Sequence, residues 1–390
     1  MKSRRSRRHR LAGCVGACLL GLSAGDVAAA DEGAPNWSKR LEHNRPWQAL
    51  EAIGDAPENQ QVAAQISVFL GLEQPACALR ASAAPRAVAD ADYRDALEVI
   101  VRAARNSRVV MLNESHFRRA HRVFLGRLIE ALHPLGFDAL AAETFAQQAP
   151  ASLQDGVPDT ATGFYTADPA FAAALRRAHA LKWAFVPYEP ATAADRETRE
   201  TAQAEALATW VEANPGRRLL VYAGGSHISK NPDEGWMAAR FAARTGIEPL
   251  TVAQGPTACP ETADGWPVDT ASPVVAVRGE TPIAANHVDI VVLHPPAAVA
   301  AAEAARGAQV SLCVAARTDA TLLRAFAEDE DDNAIARDQA VVPAGATAAR
   351  LRLLPGRYRI AREDAQTLET LGHVAVRADT ADGCLRIAPK

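Results

Sequence analysis

The sequence predicts an α/β protein: a parallel-rich sheet flanked by helices, preceded by an α-helical lead-in and followed by a small β-sandwich-like domain. Three observations carry that expectation. Between residues 108 and 296 short apolar runs alternate with longer amphipathic stretches, the pattern of βαβ units. Before residue 106 apolar residues recur at three- and four-residue spacing, as on one face of a helix. After residue 308 short alternating runs are punctuated by turn residues, including Pro355-Gly356. The segments expected are an export signal at 1–30, the lead-in at 31–106, the core with a functional rim at 107–297, and a linker with the β-domain at 298–390.

The chain opens on the basic stretch MKSRRSRRHR, then an apolar run shorter than the roughly 20 residues of a membrane span. Ala28-Ala29-Ala30 supplies the small-residue end of a secretory signal. Cleavage near Ala30 leaves a periplasmic or secreted protein with no transmembrane segment, and both Sec and twin-arginine export fit. Leu11-Ala12-Gly13-Cys14 precedes the apolar run instead of following it, so lipidation is not expected. The whole chain carries 42 Lys/Arg and 46 Asp/Glu; without residues 1–30, 36 and 45 remain, a formal charge of −9. That balance speaks against nucleic acid as a partner. Cys77, Cys259, Cys313 and Cys384 stay with the mature chain, and in an oxidising compartment they are most simply two disulfides. Cys313 with Cys384 is the first pair to expect, since both lie in one C-terminal segment; isolated thiols are the alternative.

In the lead-in, PWQALEAIGD, ENQQVAAQISVFLGLEQ and DADYRDALEVIVRAAR read as helices. The core strands are expected at 108–112, 138–143, 183–189, 218–224, 247–253 and 288–294, with helices at 118–136, 169–181, 194–214 and 232–246. The last helix has Pro232 near its start and Gly246 at its end, the usual punctuation. Residues 297–307 form an alanine-rich linker. In the β-domain AQVSLCVAAR, ATAARLRLLPGRYRIARED and HVAVRAD are strands. The acidic run 328–332 lacks the ligand spacing and glycine of a calcium loop and reads as solvated.

In an open parallel sheet the functional crevice lies beyond the carboxyl ends of the strands. The first strand leaves Asn113-Glu114-Ser115-His116 there, the second Glu143, the third Tyr188-Glu189, the fourth Gly224-Gly225-Ser226-His227. Glu114, His116, Glu143 and His227 are the catalytic candidates, with Asn113, His121, Arg122, Tyr188, Glu189 and Ser226 in support. Glu189 equally suits an exposed turn, Ser226 a helix N-cap, and His121 either the rim or solvent. The bland reading of the set is a structural polar network; unpaired charges at buried strand ends are costly, so such groups have partners or a task.

These motifs resemble the Tiki/TraB, erythromycin-esterase-like and ChaN-like superfamily, whose members share two Gly-x-x-His motifs and strand-end glutamates on an α/β core. Asn113 stands where the family usually has glycine, and asparagine tolerates the left-handed conformation such a turn needs. The run from His116 to Arg122, with its second histidine at His121, is similar to the haem-binding ChaN-like branch, although Phe117 replaces that branch's aspartate. The Tiki-like members imply a divalent metal on His116, Glu143 and His227, with Glu114 polarising a water. The erythromycin-esterase-like members imply a metal-free route in which a His-Glu pair activates water against an ester.

The expectation is therefore an exported hydrolase of ester or peptide bonds, acting on a small-molecule or peptide substrate. The alternative is a non-catalytic haem- or iron-binding uptake protein, with Tyr188 or Tyr222 as an oxygen ligand. A serine hydrolase is disfavoured because Ile228 sits where a nucleophile elbow needs its last glycine. The β-domain suits cell-envelope contact or substrate presentation.

Overall fold

Strands built from Val109–Leu112 and Leu219–Tyr222 have no polar face, so both faces of their sheet must be covered. The computed structural model, which describes residues 36–54, 56–79, 84–259, 265–378 and 383–388, shows how. The chain begins with α1 (Asn36–Glu42), α2 (Pro46–Ile53), α3 (Gln60–Phe69) and α4 (Gln74–Leu79). The core then runs β1 (Asp92–Asp95), α5 (Ala96–Ala104), β2 (Val109–Glu114), α6 (Arg119–Leu132), β3 (Phe137–Ala142), α7 (Ala149–Ser152) and α8 (Pro169–Ala180). It continues with β4 (Ala184–Val186), α9 (Arg196–Ala213), β5 (Arg218–Gly224), α10 (Met237–Thr245), β6 (Leu250–Thr257), β7 (Val274–Arg278), β8 (Thr281–Pro282), β9 (Ile290–His294) and α11 (Pro296–Ala305).

These strands form one sheet in the order β1-β7-β9-β6-β2-β5-β3-β4, with β8 on β7. The strands from β9 to β4 in that order pair in parallel, and β1, β7 and β8 add an antiparallel edge. The period of two along each strand divides the core. Val110, Leu112, Leu140 and Leu220 face α5, α6 and α8, through Ile100, Leu125 and Phe171 among others. Val109, Met111, Leu219 and Val221 face α9 and α10, through Leu207 and Phe241. Ile53, Ile66 and Phe69 of the lead-in join the first of these clusters, so the lead-in shares the core.

Several expectations are corrected. The third lead-in helix begins only at Ala96, because Asp92–Asp95 is an edge strand on β7. The strand expected at 183–189 stops at Val186, before Pro187. α10 starts at Met237 and not near Pro232, while Gly246 closes it as expected, at φ 67°. The alanine-rich segment is a helix, α11, with Pro296 at its first position and Ala298 and Ala302 buried.

The β-domain comprises β10 (Ala308–Cys313), β11 (Thr321–Ala327), β12 (Asp338–Val342), β13 (Ala348–Leu353), β14 (Gly356–Glu363), β15 (Leu368–Val376) and β16 (Cys384–Arg386). One sheet runs β13-β10-β16 and the other β12-β11-β14-β15, and Leu312, Leu351, Leu323 and Ile360 meet in one cluster between them. Pro355-Gly356 therefore closes no hairpin: β13 and β14 lie in different sheets, and the turn carries the chain across the sandwich. Nor is the acidic run simply solvated. Glu330 is 7% exposed and accepts from Arg176 of α8 and from Arg337, which ties the β-domain to the core.

Cys313 and Cys384 pair as expected, and Cys77 pairs with Cys259, with Cα separations of 5.1 and 6.0 Å. Two disulfides fit an oxidising compartment. The expected signal, residues 1–30, lies outside the described residues. Among the described residues no helix is long and apolar enough to cross a membrane.

Candidate functional site

β2, β5 and β3 are neighbours, and their register sets Glu114 opposite Gly224 and Ala142 opposite Tyr222. Glu143 continues from β3, and a turn of 3-10 helix at Gly225–Ile228 brings His227 back over the sheet. Gly224 is the point where the groups meet. Its N–H donates to Glu143 Oε2 at 2.5 Å. A Cβ there would lie 2.6 Å from His116 Nε2 and 2.9 Å from Glu143 Oε2, although φ is an ordinary −73°. A side chain at this position would have to push aside His116 and Glu143, both held by hydrogen bonds. Gly224→Ala is expected to destabilise the protein by about 1–3 kcal/mol through overpacking. Urea denaturation measures this, and an unchanged midpoint would mean that His116 and Glu143 have room to separate.

Glu114 is 4% exposed. Its carboxylate accepts from His116 Nδ1 at 2.7 Å, Arg122 Nε at 3.0 Å and Nη2 at 3.2 Å, and the Tyr222 hydroxyl at 2.6 Å. Burial alone would raise its pKa, but the Arg122 guanidinium and the hydrogen bond from His116 outweigh burial and hold it well below the usual range. Arg122 is fully buried and also donates to Asp168 at 2.7 Å, which caps α8 through the Ala170 N–H. His116 keeps 20% of its side chain exposed and stacks on Tyr165, with ring centroids 4.1 Å apart and planes 10° from parallel. With Nδ1–H on Glu114, the neutral ring carries its lone pair on Nε2.

A second network is built on Arg199 of α9. Its guanidinium donates to Glu189 Oε1 at 2.6 Å and Glu143 Oε1 at 2.7 Å, and Nη1 lies 3.3 Å from His227 Nε2. His227 Nδ1 meets Glu200 Oε1 at 2.8 Å, and Nε2 is 3.7 Å from Glu143. Burial works against charge on His227, yet Glu143 and Glu200 prevail and raise its pKa. Glu143 is pulled down: burial opposes its ionisation, while His227, His116 and Arg199 favour it more strongly. Glu189 is buried at 6% and not an exposed turn residue, and desolvation raises its pKa despite Arg199.

This arrangement corrects the metal expectation. His116, Glu143 and His227 do not form a ligand triad; among the described residues no group of three or more His, Cys, Asp or Glu is placed to hold a metal ion. The Arg199 guanidinium lies against both Glu143 and His227 and supplies positive charge there. Glu114, with both oxygens engaged, orients His116 instead of facing a water.

The supporting residues divide. His121 is 1% exposed and lies beneath the rim: Nδ1 accepts from the Ser115 N–H at 2.9 Å, so Nε2–H donates to Thr257 Oγ1 at 2.6 Å. Tyr188 and Tyr222 are buried, their hydroxyls given to Tyr222 O and to Glu114, so neither is a free oxygen ligand for haem. Ser226 is exposed and caps no helix: Gly224 precedes the 3-10 turn and Trp236 precedes α10. Asn113 stays within β2 in strand conformation, and the positive φ falls on Gly225. Its side chain joins β2 to its surroundings, donating to Gly225 O and accepting from the Gln254 N–H. Arg199, Glu200, Gln203, Asp168 and Tyr165 were not anticipated. No sequence signal singled them out: Arg199, Glu200 and Gln203 fall in a run polar on every face, Asp168 at an ordinary N-cap and Tyr165 in a turn.

No family model and no curated protein matches the chain. A solved structure of the type III effector HopBA1 is similar at 15% identity over 54% of this chain and 99% of that one, with a TM-score of 0.37, a likeness too slight to carry an argument.

Proposed function

We propose that the chain is an exported hydrolase that cleaves an ester by metal-free activation of water, with His116 as general base. The observation that supports this reading best is the Glu114–His116 pair. A buried carboxylate kept ionised by Arg122 fixes the tautomer of a partly exposed imidazole, leaving Nε2 as its basic nitrogen. Nε2 takes a proton from water as the water oxygen adds to the acyl carbon, and Glu114 stabilises the imidazolium that results. Arg199 and His227 hold Glu143 beside that position.

The resemblance of the strand-end motifs to the erythromycin-esterase-like branch favours the same chemistry. The basic–apolar N-terminus and the two disulfides favour the periplasm or the medium as its location. In this reading the β-domain makes contact with the cell envelope or presents substrate.

The test uses the purified protein with p-nitrophenyl acetate and a panel of alkyl esters. His116→Ala is expected to lower kcat by about 10²- to 10⁴-fold, and EDTA to leave the wild-type rate unchanged. Absence of hydrolysis, together with a Soret shift on haem addition that His116→Ala abolishes, would replace this reading with the haem-binding one.

A further inference from the structure

We propose that the Tyr165 hydroxyl is a second catalytic group of this site, the hydrogen-bond donor to the oxyanion that forms when water adds to the substrate carbonyl. The inference rests on the hydrolase reading above and names a residue outside the strand ends.

Tyr165 lies in a turn of 3-10 helix, Phe164–Ala167, that approaches the rim from the side. Gly163 makes the approach feasible. At φ +145° it lies so close to β3's extension that a Cβ would fall 1.7 Å from Thr144 O, a contact no other residue allows. The Tyr165 N–H then donates to Thr144 Oγ1 at 2.8 Å, which pins the residue next to Glu143. From that anchor the ring stacks on His116. The base and the phenol therefore sit in one rigid pair.

The phenol differs from its neighbours in what its hydroxyl does. Tyr188 and Tyr222 spend theirs on protein acceptors. Tyr165 is only 6% exposed, yet its hydroxyl makes no hydrogen bond to any described residue. A tyrosine this buried ordinarily finds a partner. The residue is buried but not closed off, since it keeps that 6% of its surface exposed. A donor that no protein group uses, on a ring stacked on the base, is placed to take a substrate oxygen. Burial, reinforced by Glu143 and Glu114, holds the phenol neutral well above its usual pKa. It therefore donates a hydrogen bond without surrendering its proton.

The step balances without another reagent. As the water oxygen bonds to carbon, the carbonyl π pair moves onto oxygen, where Tyr165 O–H binds it, and His116 Nε2 takes the water proton. Collapse restores the carbonyl, breaks the bond to the leaving alkoxide, and returns that proton from His116 to the alkoxide.

Tyr165→Phe keeps the stack and removes only the donor. On p-nitrophenyl acetate it is expected to lower kcat by about 10²- to 10³-fold, the usual loss for one oxyanion donor. KM should stay within about twofold and the melting temperature should not move, a split that a merely structural role would not give. A Tyr165→Phe kcat within about threefold of wild type, beside a large loss in His116→Ala, overturns this inference and leaves the hydrolase reading standing. If neither variant loses activity, or the wild type hydrolyses no ester, both fall together.

Discussion

Arg122→Met is expected to destabilise the protein by about 3–5 kcal/mol, the usual effect of breaking a buried ion pair by removing one partner. Against a typical folding stability of about 5–15 kcal/mol, that is a large fraction of the whole. The expectation follows from what Arg122 leaves behind. Methionine fills much of the same volume, so the loss is electrostatic and not a cavity. Glu114 would keep His116 and Tyr222 but lose two charged donors, and Asp168 would keep the Ala170 N–H and Arg119, whose Nε is 3.4 Å away. Both carboxylates are buried, so neither can turn to water for compensation. Urea denaturation of the wild type, Arg122→Met and Arg122→Met/Glu114→Gln decides the matter. The double variant should recover part of the loss, because one orphaned charge is gone. A single variant that loses less than about 1 kcal/mol would mean that the carboxylates find water or other donors, and that the network is not what keeps Glu114 ionised.

The sequence was informative where a single physical rule linked residue type to position. Continuous apolar runs marked β2, β5 and β9, and the rule that polar groups collect beyond the carboxyl ends singled out Glu114, His116, Glu143 and His227, of which His116 and Glu143 meet at Gly224. It was silent where a side chain reaches the rim from a helix or a turn. Arg199, Glu200 and Gln203 lie in the run RETRETAQ, whose charges on every face read as a solvated helix. Arg199 is nonetheless the residue that turns a metal-like set of ligands into an ion-paired one. Asp168 was hidden as an ordinary N-cap before Pro169, and Tyr165 by a turn with no periodicity. β1 escaped because DYRD sits inside a helical window and pairs with a strand far along the chain. Non-local pairing leaves no mark on local periodicity.

His121 and His294 make a further expectation that concerns pH and not mutation alone. The stability these two rings contribute should fall as pH drops from 6.5 to 4.5, each adding a slope of about 1.4 kcal/mol per pH unit. The two rings lie together, centroids 4.9 Å apart, both 1% exposed. Burial depresses the pKa of each; His294 adds to the effect on His121, and Arg127 to that on His294, which falls to about 3. In the unfolded chain both titrate near 6.5, so below that pH the unfolded state binds more protons. Their contribution is therefore present above 6.5 and lost as pH falls toward the folded values. His227 does not confuse the window: its folded pKa is raised, so its stabilisation is complete below 6.5 and lost only at higher pH. Glu114 and Glu143, both depressed from 4.5, act below the window. Glu73, Glu189 and Glu363 are raised from 4.5 and oppose the slope within it, so the comparison must be a difference between variants. His294→Leu supplies that difference, because leucine keeps an apolar shape and removes an Nε2 that has no partner. The variant should match or exceed the wild type at pH 7 and lose about 1.4 kcal/mol less per pH unit on acidification. Parallel curves for the two proteins would mean that His294 is protonated in the fold, and that the ground beneath the rim is wetter than its burial implies.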